Sequence, residues 1–170
     1  MITSVCPAQS LVIFAYGNPS RGDDALGPML LYRLERDERF NKEIVFIEDF
    51  QLQIEHALDL ENHNLALFID ASVACLPPFT FTRLEPTRDD TFTSHALHPA
   101  AVLHTYQQIK NQPPPPAFLL SLRGEKFELG DPLSPSAQNN LEEATLFSKR
   151  LCSTITVAYW EKLVTVAQEY

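Results

Sequence analysis

The stretch LVIFAYGNPSRGDDALGP, residues 11–28, predicts a passage from a buried strand through a loop into a helix. Its opening run, residues 11–16, is apolar throughout, which is typical of a strand that is covered on both faces. A glycine-rich turn follows, and leucines then recur at helical spacing from Leu26 to Leu34. A strand, a loop and an amphipathic helix in this order are the repeating unit of an α/β protein.

The same alternation of strands and helices continues along the chain. Further strands are predicted at 43–49, 65–70, 79–84 and 117–122, and helical patterns begin near Ile54, at His98 and at Pro135, the last allowing a break at 152–156. This order predicts an α/β fold, a three-layer sandwich in which helices cover both faces of a mostly parallel, twisted sheet of about five strands. Because no repeat or change of composition divides the chain, we expect one domain over residues 1–170.

The composition narrows the choice of partners and compartment. Thirteen Lys and Arg against twenty-two Asp and Glu give a formal net charge of −9 without a basic cluster, which argues against a nucleic-acid partner. The first ten residues lack the basic start and apolar core of a signal peptide, and no apolar run approaches the ~20 residues that cross a bilayer. The three cysteines fit neither a disulfide framework nor a zinc pattern. We therefore expect a cytoplasmic protein that binds no membrane.

Polar residues with metal-binding chemistry lie at the ends of predicted strands or before a predicted helix in three places. Asp23 and Asp24 come after the first strand, Asp70 ends the strand LALFID, and His95 precedes the helix that begins at His98. In a parallel sheet these positions share the edge formed by the carboxyl ends of the strands, where ligands collect. Carboxylates and an imidazole are a suitable ligand set for a divalent transition metal.

Each of the acids also has a purely structural interpretation. An aspartate at a helix start accepts backbone hydrogen bonds and is favoured by the helix dipole, so Asp23 or Asp24 could be a cap. Asp70 could cap the segment that follows it, although an acid at the end of an apolar strand needs a partner or a ligand. Two adjacent acids permit both roles, because one can cap the helix while its neighbour points outward.

The residues alone do not show which histidine would bind a metal, and they contain no common catalytic motif. His98 and His104 lie close to His95 in the sequence and compete with it for any ligand role. The glycines at 17, 22 and 27 do not have the spacing of a dinucleotide fingerprint, and the chain has no phosphate loop, GxSxG serine elbow or HExxH pair. The common signatures of nucleotide binding and proteolysis are therefore absent.

Three segments together resemble the nickel-iron hydrogenase maturation endopeptidases. These are LVIFAYGNPSRGDDALGP, LFIDAS and TSHALHPAAVL, which resemble the GxGNxxxxDDxxG opening, the strand-end Asp and the SxH segment of that family, in order and over most of the chain. LRGEKFELGDPLSPSA, residues 122–137, resembles the branch that serves soluble bidirectional NAD-linked hydrogenases. The resemblance implies an α/β sandwich and a cytoplasmic endopeptidase that cleaves a C-terminal extension from the hydrogenase large subunit after nickel is loaded.

The resemblance also implies the site residues. The metal ligands would be Asp24, Asp70 and His95, which leaves Asp23 as the helix cap. Asp24 is often glutamate in relatives, and His95 is preferred to His98 because it follows the SxH-like TSH. The nickel would be carried by the substrate and recognised as a checkpoint, although a metal could also activate the attacking water and polarise the peptide. Asp24 or Asp70 could be the catalytic general base of an aspartate-type hydrolysis.

One loop departs from the family pattern. Relatives often carry a glycine-rich DGGT-like loop after the second strand, proposed to recognise the substrate, whereas this chain has EDFQLQIE at 48–55. Asp49 keeps the leading acid, while Phe50, Gln51 and Leu52 replace the flexible part, which predicts a stiffer recognition loop or one with another specificity. Alternatively, the side-chain amides of Gln51 and Gln53 could contact the substrate backbone.

The resemblance leads to an expected function and two rivals. The expected function is nickel-dependent endoproteolysis of the precursor of the hydrogenase large subunit, which would be the partner protein. One rival is a non-catalytic docking protein that only senses inserted nickel. The other is a related α/β peptidase that uses the same pocket on a different substrate.

Overall fold

The computed structural model describes residues 10–40, 43–88 and 97–165. The strands are β1 (Leu11–Tyr16), β2 (Ile44–Asp49), β3 (Leu65–Ser72), β4 (Phe79–Leu84) and β5 (Ala117–Arg123). The α-helices are α1 (Leu26–Glu35), α2 (Pro99–Lys110), α3 (Pro135–Ser153) and α4 (Val157–Leu163), and three short 3₁₀ helices span Gly22–Ala25, Glu38–Phe40 and Ile54–Leu60. The strands and helices predicted from the sequence are thus found in the predicted order.

The five strands form one mostly parallel sheet in the order β2-β1-β3-β5-β4. β1 pairs in parallel with β2 and β3, β3 pairs in parallel with β5, and β4 runs antiparallel to β5 at one edge. Every residue of β1 is buried, because this strand lies inside the sheet with helices over both of its faces. Its uninterrupted apolar sequence is explained by this position.

Helices cover the sheet on both sides, which confirms the predicted three-layer arrangement. On one side, called here the α3 face, Leu11 and Ile13 of β1 pack in a core cluster with residues of α1, α3 and α4. On the other side, the α2 face, Val12 and Phe14 of β1 pack with residues of α2 and of the 3₁₀ helix Ile54–Leu60. Successive β1 residues alternate between the two clusters, as the pleat of a strand requires.

The starts of the last two helices are fixed by side-chain caps. The hydroxyl of Ser134 accepts a hydrogen bond from the backbone of Ala137 at 3.2 Å, with Pro135 as the first residue of α3. α3 ends at Ser153, within the predicted break, and Thr156 caps α4. Within the described ranges, no helix combines the length and apolar character that crossing a bilayer would require.

Candidate active site

A cleft of about 470 Å³ lies at the edge of the sheet formed by the carboxyl ends of its parallel strands. It is bounded by the loop after β1, the loop after β2, the end of β3 and Leu97, which lies two residues before the start of α2. Its lining residues are Tyr16, Gly17, Asn18, Arg21, Asp24, Phe50, Gln51, Leu52, Asp70 and Leu97. This is the place where open α/β sheets bind ligands, because loops from neighbouring strands converge there.

The sheet register places Tyr16 and Asp70 side by side. Ala15 of β1 pairs with Ile69 of β3, so the next positions of these parallel strands are Tyr16 and Asp70. Both belong to the α2 face: Tyr16 is part of its core cluster, and Asp70 follows two residues after Phe68 of the same cluster. Because side chains alternate along each strand, the phenol of Tyr16 and the carboxyl group of Asp70 lie on the same face of the sheet and form one wall of the cleft.

Asp24 reaches the cleft from the loop after β1. Its carboxylate accepts a hydrogen bond from the backbone N–H of Asn18 at 2.7 Å, which closes the loop on itself. Gly17 permits this closure: its φ is +147°, and a Cβ at this position would lie 2.1 Å from the carbonyl oxygen of Asp24. The structure thus brings together Asp24 and Asp70, two of the three metal ligands implied by the resemblance.

Burial, together with the nearby carboxylate of Asp24, raises the pKa of Asp70. Burial raises the pKa of Asp70 to about 7; the backbone N–H of Ala71 opposes this increase, and the negative charge of Asp24 adds to it. A carboxyl group with this pKa exchanges a proton readily near neutral pH, which suits a general acid or base. The arrangement also offers two oxygen ligands to a cation, whose charge would relieve the repulsion between the two acids.

Asp23 has a different role from the one predicted for it. Neither the 3₁₀ helix Gly22–Ala25 nor α1 has a side-chain cap, so the assignment of Asp23 as the helix cap is wrong. Its carboxylate is completely buried and accepts four hydrogen bonds: from the backbones of Glu125 at 2.7 Å, Lys126 at 3.1 Å and Ser134 at 2.7 Å, and from the Ser134 hydroxyl at 2.7 Å.

These four donors make Asp23 the anchor of the loop between β5 and α3. Burial alone would raise the pKa of the Asp23 carboxyl, but the hydrogen bonds from Glu125, Ser134 and Lys126 outweigh it and lower the pKa below the usual value. The backbone N–H of Asp23 also donates to the carbonyl of Lys126 at 2.7 Å. The first acid of the pair therefore holds the scaffold, while the second faces the cleft.

The predicted recognition loop also contains both structural residues and residues that line the cleft. Phe50 and Gln51 line the cleft, and Phe50 is 68% exposed. Asp49 accepts a hydrogen bond from the backbone of Phe50 at 2.7 Å, and its second oxygen lies 3.4 Å from Nε2 of His56. Nδ1 of His56 accepts from the backbone of Gln53 at 2.8 Å. Asp49 and His56 thus shape the loop, and the next two residues are presented to a ligand.

The third implied metal ligand, His95, lies outside the described residues. Leu97, two residues further along, lines the cleft at the approach to α2. His98, the competing histidine, is the N-cap of α2: its Nδ1 accepts a hydrogen bond from the backbone of Ala100 at 3.1 Å. Over the ranges 10–40, 43–88 and 97–165, no group of three His, Cys, Asp or Glu side chains is arranged to hold a metal ion.

Three further polar residues of the cleft were not identified as site residues from the sequence. Tyr16 was hidden because its ring completes the apolar run of β1. Asn18 supplies the backbone donor to Asp24, and backbone contacts leave no side-chain signature. Arg21 places a positive charge in the lining of a cleft that contains two acids. It is the sole basic residue of the loop 17–25, and this could have identified it from the sequence.

Comparisons of the sequence gave no relatives, whereas comparison of the structure did. Neither a family model nor a curated protein matches the sequence. The structure is similar to solved hydrogenase maturation proteases. The nickel-iron hydrogenase maturation protease HycI from Thermococcus kodakarensis KOD1 has a TM-score of 0.65 at 17% identity, with 86% of this chain and 94% of that chain covered.

Two further solved structures show the same likeness. The hydrogenase maturating endopeptidase HybD from E. coli has a TM-score of 0.66 at 20% identity, covering 85% of this chain and 93% of its own. The hydrogenase 2 maturation peptidase from a Thaumarchaeota archaeon has a TM-score of 0.59 at 18% identity, covering 83% and 96%. At these identities the likeness establishes the fold, and the activity has to be argued from the site.

Proposed function

We propose that this chain is an endopeptidase that cleaves a C-terminal extension from the nickel-loaded large subunit of a nickel-iron hydrogenase. The observation that carries the proposal is the meeting of Asp24 and Asp70 in one cleft, at the ligand-binding edge of a fold similar to that of solved hydrogenase maturation proteases. These two acids are the ones implied by the sequence motifs. The fold and the motifs thus support the same assignment by separate routes.

In this proposal nickel belongs to the substrate. Asp24 and Asp70 offer oxygen ligands to the ion carried by the precursor, and His95 is the proposed third ligand, since imidazole suits nickel. Contact with the ion positions the adjoining peptide in the cleft, so a precursor without nickel is held less well. The ion therefore reports that metal insertion is complete before the extension is removed.

The carboxyl groups also supply the proton transfers of peptide hydrolysis. Asp70 is fixed at the end of a buried strand, where one of its carboxyl oxygens can contact the ion while the other accepts a proton from the attacking water and returns it to the leaving amine. Asp24, held by the backbone of Asn18, is the more suitable fixed contact for the cation. Phe50 and Gln51 line the cleft and are proposed to contact the precursor chain.

The decisive experiment mixes the purified protein with nickel-loaded and nickel-free precursor and follows the size of the large subunit. We expect a size shift only with the loaded precursor. Asp24→Asn, Asp70→Asn and His95→Ala should each lower the cleavage rate by at least about 100-fold, the range in which loss of a general base or fixed ligand falls. Asp59→Asn, an exposed acid of the 3₁₀ helix Ile54–Leu60, is the matched control and should cleave normally.

The other outcomes separate the rival functions. Binding of the loaded precursor without any size shift would identify a docking protein that senses nickel. Equal cleavage of loaded and nickel-free precursor would disprove the checkpoint. Normal cleavage by the cleft variants would show that the catalytic site lies elsewhere in the chain.

A further inference from the structure

Tyr16 carries a buried hydroxyl group to which neither the fold nor the proposed chemistry has yet assigned a function. The residue is 7% exposed, and its hydroxyl oxygen has no hydrogen-bond partner among the residues that the structure describes. Buried polar groups in folded proteins almost always have a partner, because leaving one unpaired is costly. An unpaired hydroxyl in a well-packed core therefore requires a reason.

The position of Tyr16 supplies that reason. Its ring packs in the core cluster of the α2 face, while the residue also lines the cleft beside Asp70. Phe14, two residues earlier on the same face, fills its core position with an unsubstituted ring. A phenylalanine would thus satisfy the packing at Tyr16 as well, and the hydroxyl is the feature that packing does not explain.

The hydroxyl can donate a hydrogen bond to an acceptor in the cleft. A tyrosine phenol is protonated at neutral pH and carries one O–H donor. A peptide carbonyl accepts hydrogen bonds, and its oxygen becomes more negative when water attacks the carbon. A donor shielded from water stabilises that charge more strongly than one in solvent.

We infer that the Tyr16 hydroxyl donates a hydrogen bond to the carbonyl oxygen of the scissile peptide bond bound beside Asp70. The inference rests on the proposed endopeptidase function and adds a catalytic residue to it. Water attacks the carbonyl carbon as its proton passes to Asp70, and the developing oxyanion is held by Tyr16. When the intermediate collapses, the C–N bond breaks, the amine takes the proton from Asp70, and Tyr16 retains its own proton throughout.

The test compares Tyr16→Phe with the unmodified protein in single-turnover cleavage of the nickel-loaded precursor. Removing one oxyanion donor lowers the rate of the chemical step by roughly 100-fold to 1000-fold, and we expect a loss in this range. Binding of the loaded precursor should be unchanged, because the bond strengthens only as charge develops. Tyr32→Phe, at an exposed tyrosine of α1 that is not part of the cleft lining, should cleave at the normal rate.

Thermal unfolding of Tyr16→Phe distinguishes catalysis from a structural role. The variant should unfold at the same temperature as the unmodified protein or a higher one, because the change removes an unpaired buried hydroxyl and keeps the ring. A lower unfolding temperature, a normal cleavage rate, or weaker binding at a normal rate would each overturn the inference. If the unmodified protein fails to cleave the loaded precursor, the proposed function itself is disproved. This outcome is separate from any effect of Tyr16→Phe, because it is measured on the unmodified protein alone.

Discussion

The carboxylate of Asp23 is buried completely and is satisfied by donors from a loop that is distant in sequence. Glu125 and Ser134 are 102 and 111 residues away, so no local pattern could have revealed the contact. A capping role was the reasonable prediction for an acid before a helix, and it was wrong because long-range donors compete for the same oxygens. Asp24, the next residue, is bonded instead to the backbone of Asn18 in its own loop, and it lines the cleft.

Replacing Asp23 by asparagine should destabilise the protein. The side-chain amide exposes an N–H₂ group to backbone donors that need an acceptor, so we expect a loss of about 2–4 kcal/mol in the free energy of unfolding. Chemical denaturation at neutral pH measures this loss, and Asp59→Asn, at an exposed acid, should leave the midpoint unchanged. Equal midpoints for the two variants would contradict the anchoring role.

The acidity of Asp23 gives a second prediction, for stability as a function of pH. Its pKa is lowered in the folded protein from the usual 3.8, so the folded state holds the proton less tightly than the unfolded chain. The stabilisation is therefore complete above the unfolded pKa and is lost as the pH falls through the folded pKa. Unfolding curves from pH 6 downward should show a smaller acid-induced loss for Asp23→Asn than for the unmodified protein; identical pH dependence would exclude this contribution.

At the scale of elements, the strands were predictable and the side-chain geometry of the cleft was only partly so. β1 was expected at 11–16 and is found at Leu11–Tyr16, because a strand buried on both faces must be apolar throughout. For the same reason Tyr16 could not be predicted as a cleft residue, because its ring fits the apolar run of β1. Asp70 could be identified because it interrupts such a run at the sheet edge.

The packing of α1 on the sheet depends on Gly27. A Cβ at this position would lie 2.9 Å from the carbonyl oxygen of Tyr16 and 3.2 Å from that of Ile69, and neither backbone atom can move freely. Gly27→Ala should therefore destabilise the protein by about 1–3 kcal/mol, the usual cost of overpacking. Helix propensity alone predicts the opposite, a gain of about 1 kcal/mol, so the sign of the change is decisive.

Equilibrium unfolding measures this change, with Met29→Ala at an exposed position of the same helix as the control. The control should shift the midpoint little. A more stable Gly27→Ala variant would show that α1 can move away from the strands at little cost.

At the scale of the whole molecule, the sheet separates a supporting side from a functional side. Trp160 of α4 is completely buried on the α3 face, where its ring packs against Phe81 and Phe118. Its indole N–H donates to the carbonyls of Leu151 at 3.1 Å and Thr154 at 2.9 Å, which closes α4 onto the end of α3. The cleft wall formed by Tyr16 and Asp70 belongs to the opposite face.

The same region protects an edge of the sheet. The backbone N–H of Thr165, just after α4, donates to the carbonyl of Phe81 at 2.8 Å, and the Thr165 hydroxyl accepts from the N–H of Phe81 at 3.0 Å. β4 is the last strand of the sheet on this side, so these bonds satisfy backbone groups that would otherwise be free to pair with another chain. The chain after α3 thus contributes to stability through packing and through edge protection.

This separation predicts that stability and cleavage can be changed independently. Trp160→Ala should lower the free energy of unfolding by about 3–5 kcal/mol, as expected when a large aromatic side chain is removed from a core. At a low temperature, where the variant remains folded, its rate of precursor cleavage should equal that of the unmodified protein, whereas Asp70→Asn should lose cleavage without losing stability. Trp160→Phe provides a milder change if the alanine variant does not fold. If the cleavage rate of the folded variant falls together with its stability, the two faces of the sheet act as one unit. The cleft would then depend on packing across the whole sandwich.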